Sequence, residues 1–223
     1  MYKEIFDKIA QYFSAGKYET EYRETRQRYL NLIGSFGEDE LLFENQMTRF
    51  LEWYLLDREL LQSAIPPCRL YRLSYQHELT PAFQDILYAF EQSTHSLFQV
   101  HAVDGQGTVV KDLLNRNAEH RLEKQFYPEF RIADLIDARL FTLNAINYLT
   151  ESAWMYPSEM KNSLLETVKK YDGKNKSKFL MDLAYMKSKR DRFPHVPIEQ
   201  IFQWEQMEND RENYLRTKSV GTP

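Results

Sequence analysis

The chain has 223 residues, a formal charge of −4 and 14% aromatic residues, including 15 Tyr and 14 Phe. That length is enough to bury a substantial core, and the rings supply its bulk. The single cysteine, Cys68, excludes an intramolecular disulfide and a Cys-based zinc cluster. The mild charge selects no partner by itself, and no stretch reaches the roughly twenty apolar residues that cross a bilayer. Glu4 and Asp7 interrupt the N-terminal segment, which lacks a signal-peptide apolar run, so the expected compartment is the cytoplasm.

Tyr2 to Ala15 places Ile5, Phe6, Ile9, Tyr12 and Phe13 on one helical face and stops at Gly16. Its polar face mixes Lys3 and Lys8 with Glu4 and Asp7, which favours packing on a core over lying on lipid. A second helix, Tyr18 to Ile33, repeats the pattern before Gly34. The third, Asp39 to Leu60, carries Phe43, Met47, Phe50, Leu51, Tyr54 and Leu55 in one stripe, widened by Leu42, Trp53 and Leu56. A helix apolar around so much of its circumference is expected at the centre of the fold. Near its end Trp53 and Asp57 stack four residues apart, with Arg58 next. An acid beside a tryptophan can be a catalyst with a shifted pKa, although ion pairing or capping at a helix end is commoner.

Pro66 and Pro67 mark a connection with at most a helical turn around Arg69 to Leu73. His77 and Glu78 lie nearby without the HExxH spacing of a zinc site. Thr80 as N-cap and Pro81 at the first position open a fourth helix, with Phe83, Ile86, Leu87 and Phe90 inward. From His95 the period changes to two. Asp104-Gly105-Gln106-Gly107 predicts a hairpin turn between two strands, Asn115-Arg116-Asn117 leads into a third, and Leu143-Asn144 joins two more. Five short strands with tight turns predict a small antiparallel β-barrel or strongly twisted sheet, because closure hides the edges. His95 and His101 are six residues apart, about 20 Å along a strand, and His120 can approach only one of them. No metal site is expected.

Four segments, FLEWYLLDREL at Phe50 to Leu60, HSLFQV at His95 to Val100, VVKDLL at Val109 to Leu114 and ADLIDARL at Ala133 to Leu140, carry a resemblance. With the strand-to-helix shift at ESAWMYPSEMKNSLLETVKKY, the stretch is similar to an uncharacterised bacterial family, some members of which carry a C-terminal, zinc-binding SEC-C motif. The likeness covers about 50–171 and implies a shared fold and no catalytic residue. The Cys-rich tail is absent here, so the resemblance implies no zinc function.

Ser158 is a fair N-cap for a helix to Tyr171, and a further helix spans Lys178 to Arg192. Pro194 and Pro197 then break the chain before a last helix using Ile198, Ile201, Phe202 and Trp204. Charge is uneven here. From Lys161 to Arg192 there are ten Lys or Arg and four Asp or Glu, a net of +6 against −10 for the remainder. Lys170, Lys174, Lys176, Lys178, Lys189 and Arg190 form a candidate basic patch for phosphates or an acidic protein face. A solvated helix face balancing an acidic body explains the same run. The loop lacks the GxxxxGK[ST] spacing of a nucleotide-binding loop.

The expected organisation is α+β: an N-terminal helical bundle (1–94), a β-rich module (95–156), a C-terminal helical region (157–216) and a tail (217–223), together one cooperative unit. No cofactor is indicated. The functional expectation is a non-enzymatic protein-interaction or adaptor protein, with nucleic-acid binding through residues 161–192 as the alternative. An enzyme of unrecognised type would need Asp57, Arg58, His77 or His120 to converge in one pocket.

Overall fold

The structure, a computed structural model, describes residues 2–34, 41–123, 130–171 and 173–203. Among these residues five helices precede a β-barrel and three follow it: α1 (Tyr2–Phe13), α2 (Glu19–Ile33), α3 (Leu41–Leu56), α4 (Pro67–Tyr75), α5 (Pro81–Glu91), then α6 (Lys161–Lys170), α7 (Lys176–Arg192) and α8 (Ile198–Ile201). Between them run β1 (Thr94–Asp104), β2 (Gly107–Asp112), β3 (Ala118–Glu123), β4 (Leu135–Leu143), β5 (Ile146–Leu149) and β6 (Trp154–Tyr156). No helix is long and apolar enough to cross a membrane among the described residues.

The α+β expectation and the five-stranded barrel are what the structure contains. The strands close in the order β1-β2-β3-β5-β4-β1, and β6 adds to the free stretch of β4. The barrel is mixed rather than wholly antiparallel. Because β4 and β5 form a hairpin and β4 also pairs with β1, β5 meets β3 running in the same direction. That junction is narrow, with Leu122 opposite Asn147 and the Asn147 amide donating to the Arg121 carbonyl at 3.1 Å.

Two further differences have local causes. Pro66 and Pro67 begin a nine-residue helix instead of breaking one, because Pro67 sits in the first turn, where a missing N–H costs nothing. Ser158 makes no side-chain cap; it opens a short 3-10 turn, and α6 starts at Lys161. The Thr80 cap is as expected, its hydroxyl accepting from the Phe83 N–H at 3.3 Å. Asp39, Trp204, the polar run 208–213 and the tail 217–223 lie outside the described residues.

Alternation along β4 sorts its side chains into two environments. Ile136, Ala138 and Leu140 point into the barrel with Phe98, Val100, Val110, Leu122 and Leu149. Leu135, Asp137, Arg139 and Phe141 therefore face outward, yet all four are buried, because helices cover that face. Phe141 joins the N-terminal helical core, its ring meeting Tyr2 at 5.4 Å, Phe90 at 5.1 Å and Tyr148 at 5.3 Å. Such ring pairs add about 0.5–1.5 kcal/mol each beyond area burial. Leu135 instead joins Leu97, Tyr156 and the α6–α7 pair. The middle of the face is charged.

Gly107 opens β2 with φ +149°, and a Cβ there would lie 2.0 Å from the Leu122 carbonyl oxygen. Since that oxygen is backbone, Gly107→Ala must push β2 and β3 apart. The expected loss is about 3 kcal/mol, read as a lower urea midpoint with unchanged slope; a loss below about 0.5 kcal/mol would contradict the assigned pairing.

Candidate functional site

Two places concentrate chemistry. The first is the charged middle of β4's outer face, where α3 packs across it. Gln46, Arg49 and Glu52 recur every three residues, so they share the face of α3 opposite its apolar stripe. Arg49 Nη2 donates to Asp137 Oδ2 at 2.8 Å, and its Nη1 reaches the Ser152 carbonyl at 3.1 Å. The His95 ring meets Asp137 Oδ1 at 2.7 Å, and Tyr156 donates to Oδ2 at 3.3 Å. One strand position along, Arg139 Nε donates to Glu52 Oε1 at 3.2 Å and Nη1 to Ser93 Oγ at 3.1 Å, while Nη2 grips Asp57. Ser152 Oγ closes the set on Glu52 Oε2 at 2.6 Å. Trp154 lies between two cations, with Arg49 4.2 Å and Lys187 5.0 Å from its ring centroid.

Burial alone would raise the Asp137 carboxyl. The charges and hydrogen bonds of Arg49 and His95 outweigh it and hold the group well below the usual carboxylate range. Burial would likewise lower Arg49, but Asp137 raises it above its ordinary value. Burial pushes the Tyr29 phenol up to about 12 and holds Tyr156 well above its ordinary value, with the Asp137 charge adding to it. These groups therefore keep fixed charge states at neutral pH. The cavity they enclose is about 20 Å³, the scale of one water rather than a substrate. Among the described residues no hydroxyl or thiol hydrogen-bonds to the His95 ring, so the Asp137–His95 pair has no nucleophile to activate. The chemistry this seam supports is the locking of α3 onto the barrel.

The second place is a cleft of about 240 Å³ at the α6–α7 turn. Asn175, with φ 47°, caps α7 by accepting from the Lys178 N–H at 3.0 Å. Lys170 from the end of α6, Lys174 from the turn and Lys178 from the first turn of α7 line the cleft. Tyr171 and Phe179, 4.6 Å apart, form its apolar wall. Lys178 Nζ also meets the buried Asp182 carboxylate at 3.0 Å. A concave site lined, among the described residues, by three lysines against the one acid Asp182, with aromatic carbon and a helix N-terminus, can hold an anionic group.

The basic patch read from the sequence is thus divided. Lys170, Lys174 and Lys178 come together. Lys176 turns the other way, half-buried toward the barrel, where burial lowers its pKa against the pull of Asp112. Lys189 and Arg190 sit in the last turn of α7, roughly 17 Å further along its axis, where Arg190 pairs with Glu159 at 3.4 Å. Asp57 and Arg58 also diverge: Asp57 joins Arg139 in the seam, and Arg58 reaches Glu21 at 2.8 Å. His77 is exposed at the end of α4, and His120 packs beside Phe98 on β3. These four do not converge. Cys68 is buried, which pushes its thiol up and away from a reactive state.

Five-stranded Greek-key barrels include those that bind oligonucleotides on the face of strands 2 and 3. Here the outward positions of β2 and β3 are Val109, Lys111, Glu119 and Arg121, without an aromatic ring. Lys111 meets Glu119 at 3.4 Å and Arg121 meets Asp104 at 2.9 Å, so the cations on that face are matched by acids. Comparison with known proteins finds one matching family, described as of unknown function (DUF7986), over residues 2–182. No curated protein and no solved structure matches.

Removing Arg49 alone leaves a buried carboxylate short of its main counter-charge. Arg49→Met is expected to cost about 3–5 kcal/mol in urea unfolding, while Arg49→Met with Asp137→Leu recovers much of that loss. Because the folded Asp137 value lies below its unfolded one, its contribution is complete above about pH 4 and fades as pH falls further. The double variant should therefore show a flatter decline of stability from about pH 4 downward than the parent. An unchanged acid limb would remove Asp137 as its source.

Proposed function

The chain belongs to DUF7986, a family of unknown function, and we propose that it is a non-enzymatic binding protein that holds an acidic segment of a partner protein in the α6–α7 cleft. The observation that carries this reading is the convergence of Lys170, Lys174 and Lys178 on one concave site with aromatic walls. An acidic side chain fits a compact site of that kind: its carboxylate meets the ammonium groups, and its neighbours rest on Tyr171 and Phe179. A nucleic acid asks for something else, a long cationic groove with stacking rings along it. The split of the basic residues between the two ends and two faces of α7, and the acid-matched face of β2 and β3, weigh against that. The proposed setting is the cytoplasm, and a lone buried cysteine supports it. Kinship with SEC-C-associated proteins would leave the reading in place, since it implies no catalytic residue.

The test is fluorescence anisotropy of the full chain with a labelled peptide of about ten residues rich in Asp and Glu, beside a single-stranded oligonucleotide, at low and physiological salt. The peptide should bind, weaken as salt rises, and lose about tenfold or more in affinity in a Lys170→Glu, Lys174→Glu, Lys178→Glu variant. Stronger binding of the oligonucleotide would replace this reading with the nucleic-acid one. Binding of neither, or peptide binding untouched by the three substitutions, would end it.

A further inference from the structure

A second concavity, of about 190 Å³, lies between α1, α3, the end of α5 and the turn from β5 to β6. Its walls are Tyr2, Phe6, Leu51 and Phe90. Their rings are held in place by neighbours: Phe6 meets Phe90 edge to face at 6.0 Å, and both Tyr2 and Phe90 pack on Phe141. An apolar cavity of about 150 Å³ is enough to take benzene. This one therefore has space for a single ring, or a branched aliphatic group of that size, with a short arm.

The charged groups at the cavity are mostly of one sign. Among the described residues Asp7, Glu52 and Glu151 border it, against the one cation Lys3, which pairs with Glu151 at 3.1 Å on the exposed rim. Glu52 differs from the other two acids. Its side chain is 6% exposed, and it stands where this cavity meets the charged seam behind it. Arg139 and Ser152 each donate to one of its oxygens. A carboxylate offers about four acceptor positions, so two remain for a further donor. Thr48 and Thr150 line the same cavity, their hydroxyls donating to the Glu44 carbonyl at 3.0 Å and the Arg139 carbonyl at 3.5 Å.

We propose that this concavity binds a small organic amine, a single-ring or branched apolar body whose ammonium turns toward Glu52. The aromatic walls suit both halves of such a ligand, since ring faces attract an ammonium as well as apolar carbon. A carboxylate-bearing ligand of the same shape would meet three acids. A neutral one would forgo the charge-assisted bond to Glu52. This site is separate from the α6–α7 cleft and does not depend on the reading given there.

The probe is 2-phenylethylamine, titrated into the isotope-labelled full chain and followed by two-dimensional NMR, with 3-phenylpropanoate as the partner of opposite charge. Amide shifts should cluster at Tyr2, Phe6, Leu51 and Glu52 and saturate in the millimolar range or below, with the carboxylate probe about tenfold weaker or worse. Glu52→Gln should weaken the amine about tenfold. Because Glu52 also holds Arg139, Thr48→Trp is the second variant; it fills the mouth from the half-buried side of α3 and should abolish binding while circular dichroism stays unchanged. The Lys170, Lys174, Lys178 charge-reversal variant should bind the amine as the parent does, which separates the fate of the two sites. Equal affinity for the two probes, shifts centred elsewhere, binding that survives Thr48→Trp, or no saturation by about 10 mM would overturn the proposal.

Discussion

Arg49 and Glu52 of α3 reach across to Asp137 and Arg139 of β4, each acid facing the other element's base. Burying four charges is unfavourable until every one is paired and hydrogen-bonded. The seam pairs all four only when α3 sits at one height and one rotation over the barrel, with His95, Ser152 and Tyr156 adding further bonds and Arg49 Nε left without one among the described residues. Apolar contacts on either side are less exacting, since Phe141 and Leu135 would accept a helix shifted by part of a turn. The charges therefore set the register between helices and barrel, and the apolar clusters supply the bulk of the burial.

That fixed register also places the two candidate binding sites. Glu52 stands between the seam and the aromatic cavity formed with α1. On the other flank, the first turn of α7 has two faces. Lys174, Asn175 and Lys178 border the outer cleft, while Ser177 lines the seam and Lys176 turns toward Asp112. The aromatic cavity thus shares Glu52 with the structural lock, whereas among the described residues the cleft shares with it the helix α7 and no lining residue. Packed helices supply most of the walls of both, and short turns complete them, with Lys174 and Asn175 in the cleft and Thr150 and Glu151 at the cavity.

Much of the fold was legible because it follows from local signals. Thr80-Pro81 marked the start of α5, the change of period at His95 marked the barrel, and Gly107 marked a turn. The seam was hidden for a physical reason. In α3 the apolar residues dominate the pattern, and nothing in it marks Gln46, Arg49 and Glu52. Distant elements bury them, β4 for Arg49 and Glu52, Gly34 and Ser188 for Gln46, and a single sequence does not display that pairing. One signal was present: Asp137 and Arg139, two apart in DLIDARLFTL, put two opposite charges on one face of a strand apolar everywhere around them. The basic run after Lys161 was visible as composition, whereas its division into an outer triplet, an inward Lys176 and a distant Lys189 and Arg190 depends on where α7 begins and how it is turned.

The narrow join between β3 and β5 gives the barrel an uneven hold on itself. Among the described residues Leu122 and Asn147 are the one matched pair there, whereas β1 is bound along its length to β2 and β4. Closure at that join brings together segments already constrained by the two hairpins, so little backbone bonding rewards it. Opening along this line would break few hydrogen bonds and would bare Leu122 and Leu149 while leaving α3 locked to β4. Amide protons of β5 that face β3 should accordingly exchange through local opening, ahead of those shared by β1 and β4. The barrel would open first at this join, which α3 does not cross-link.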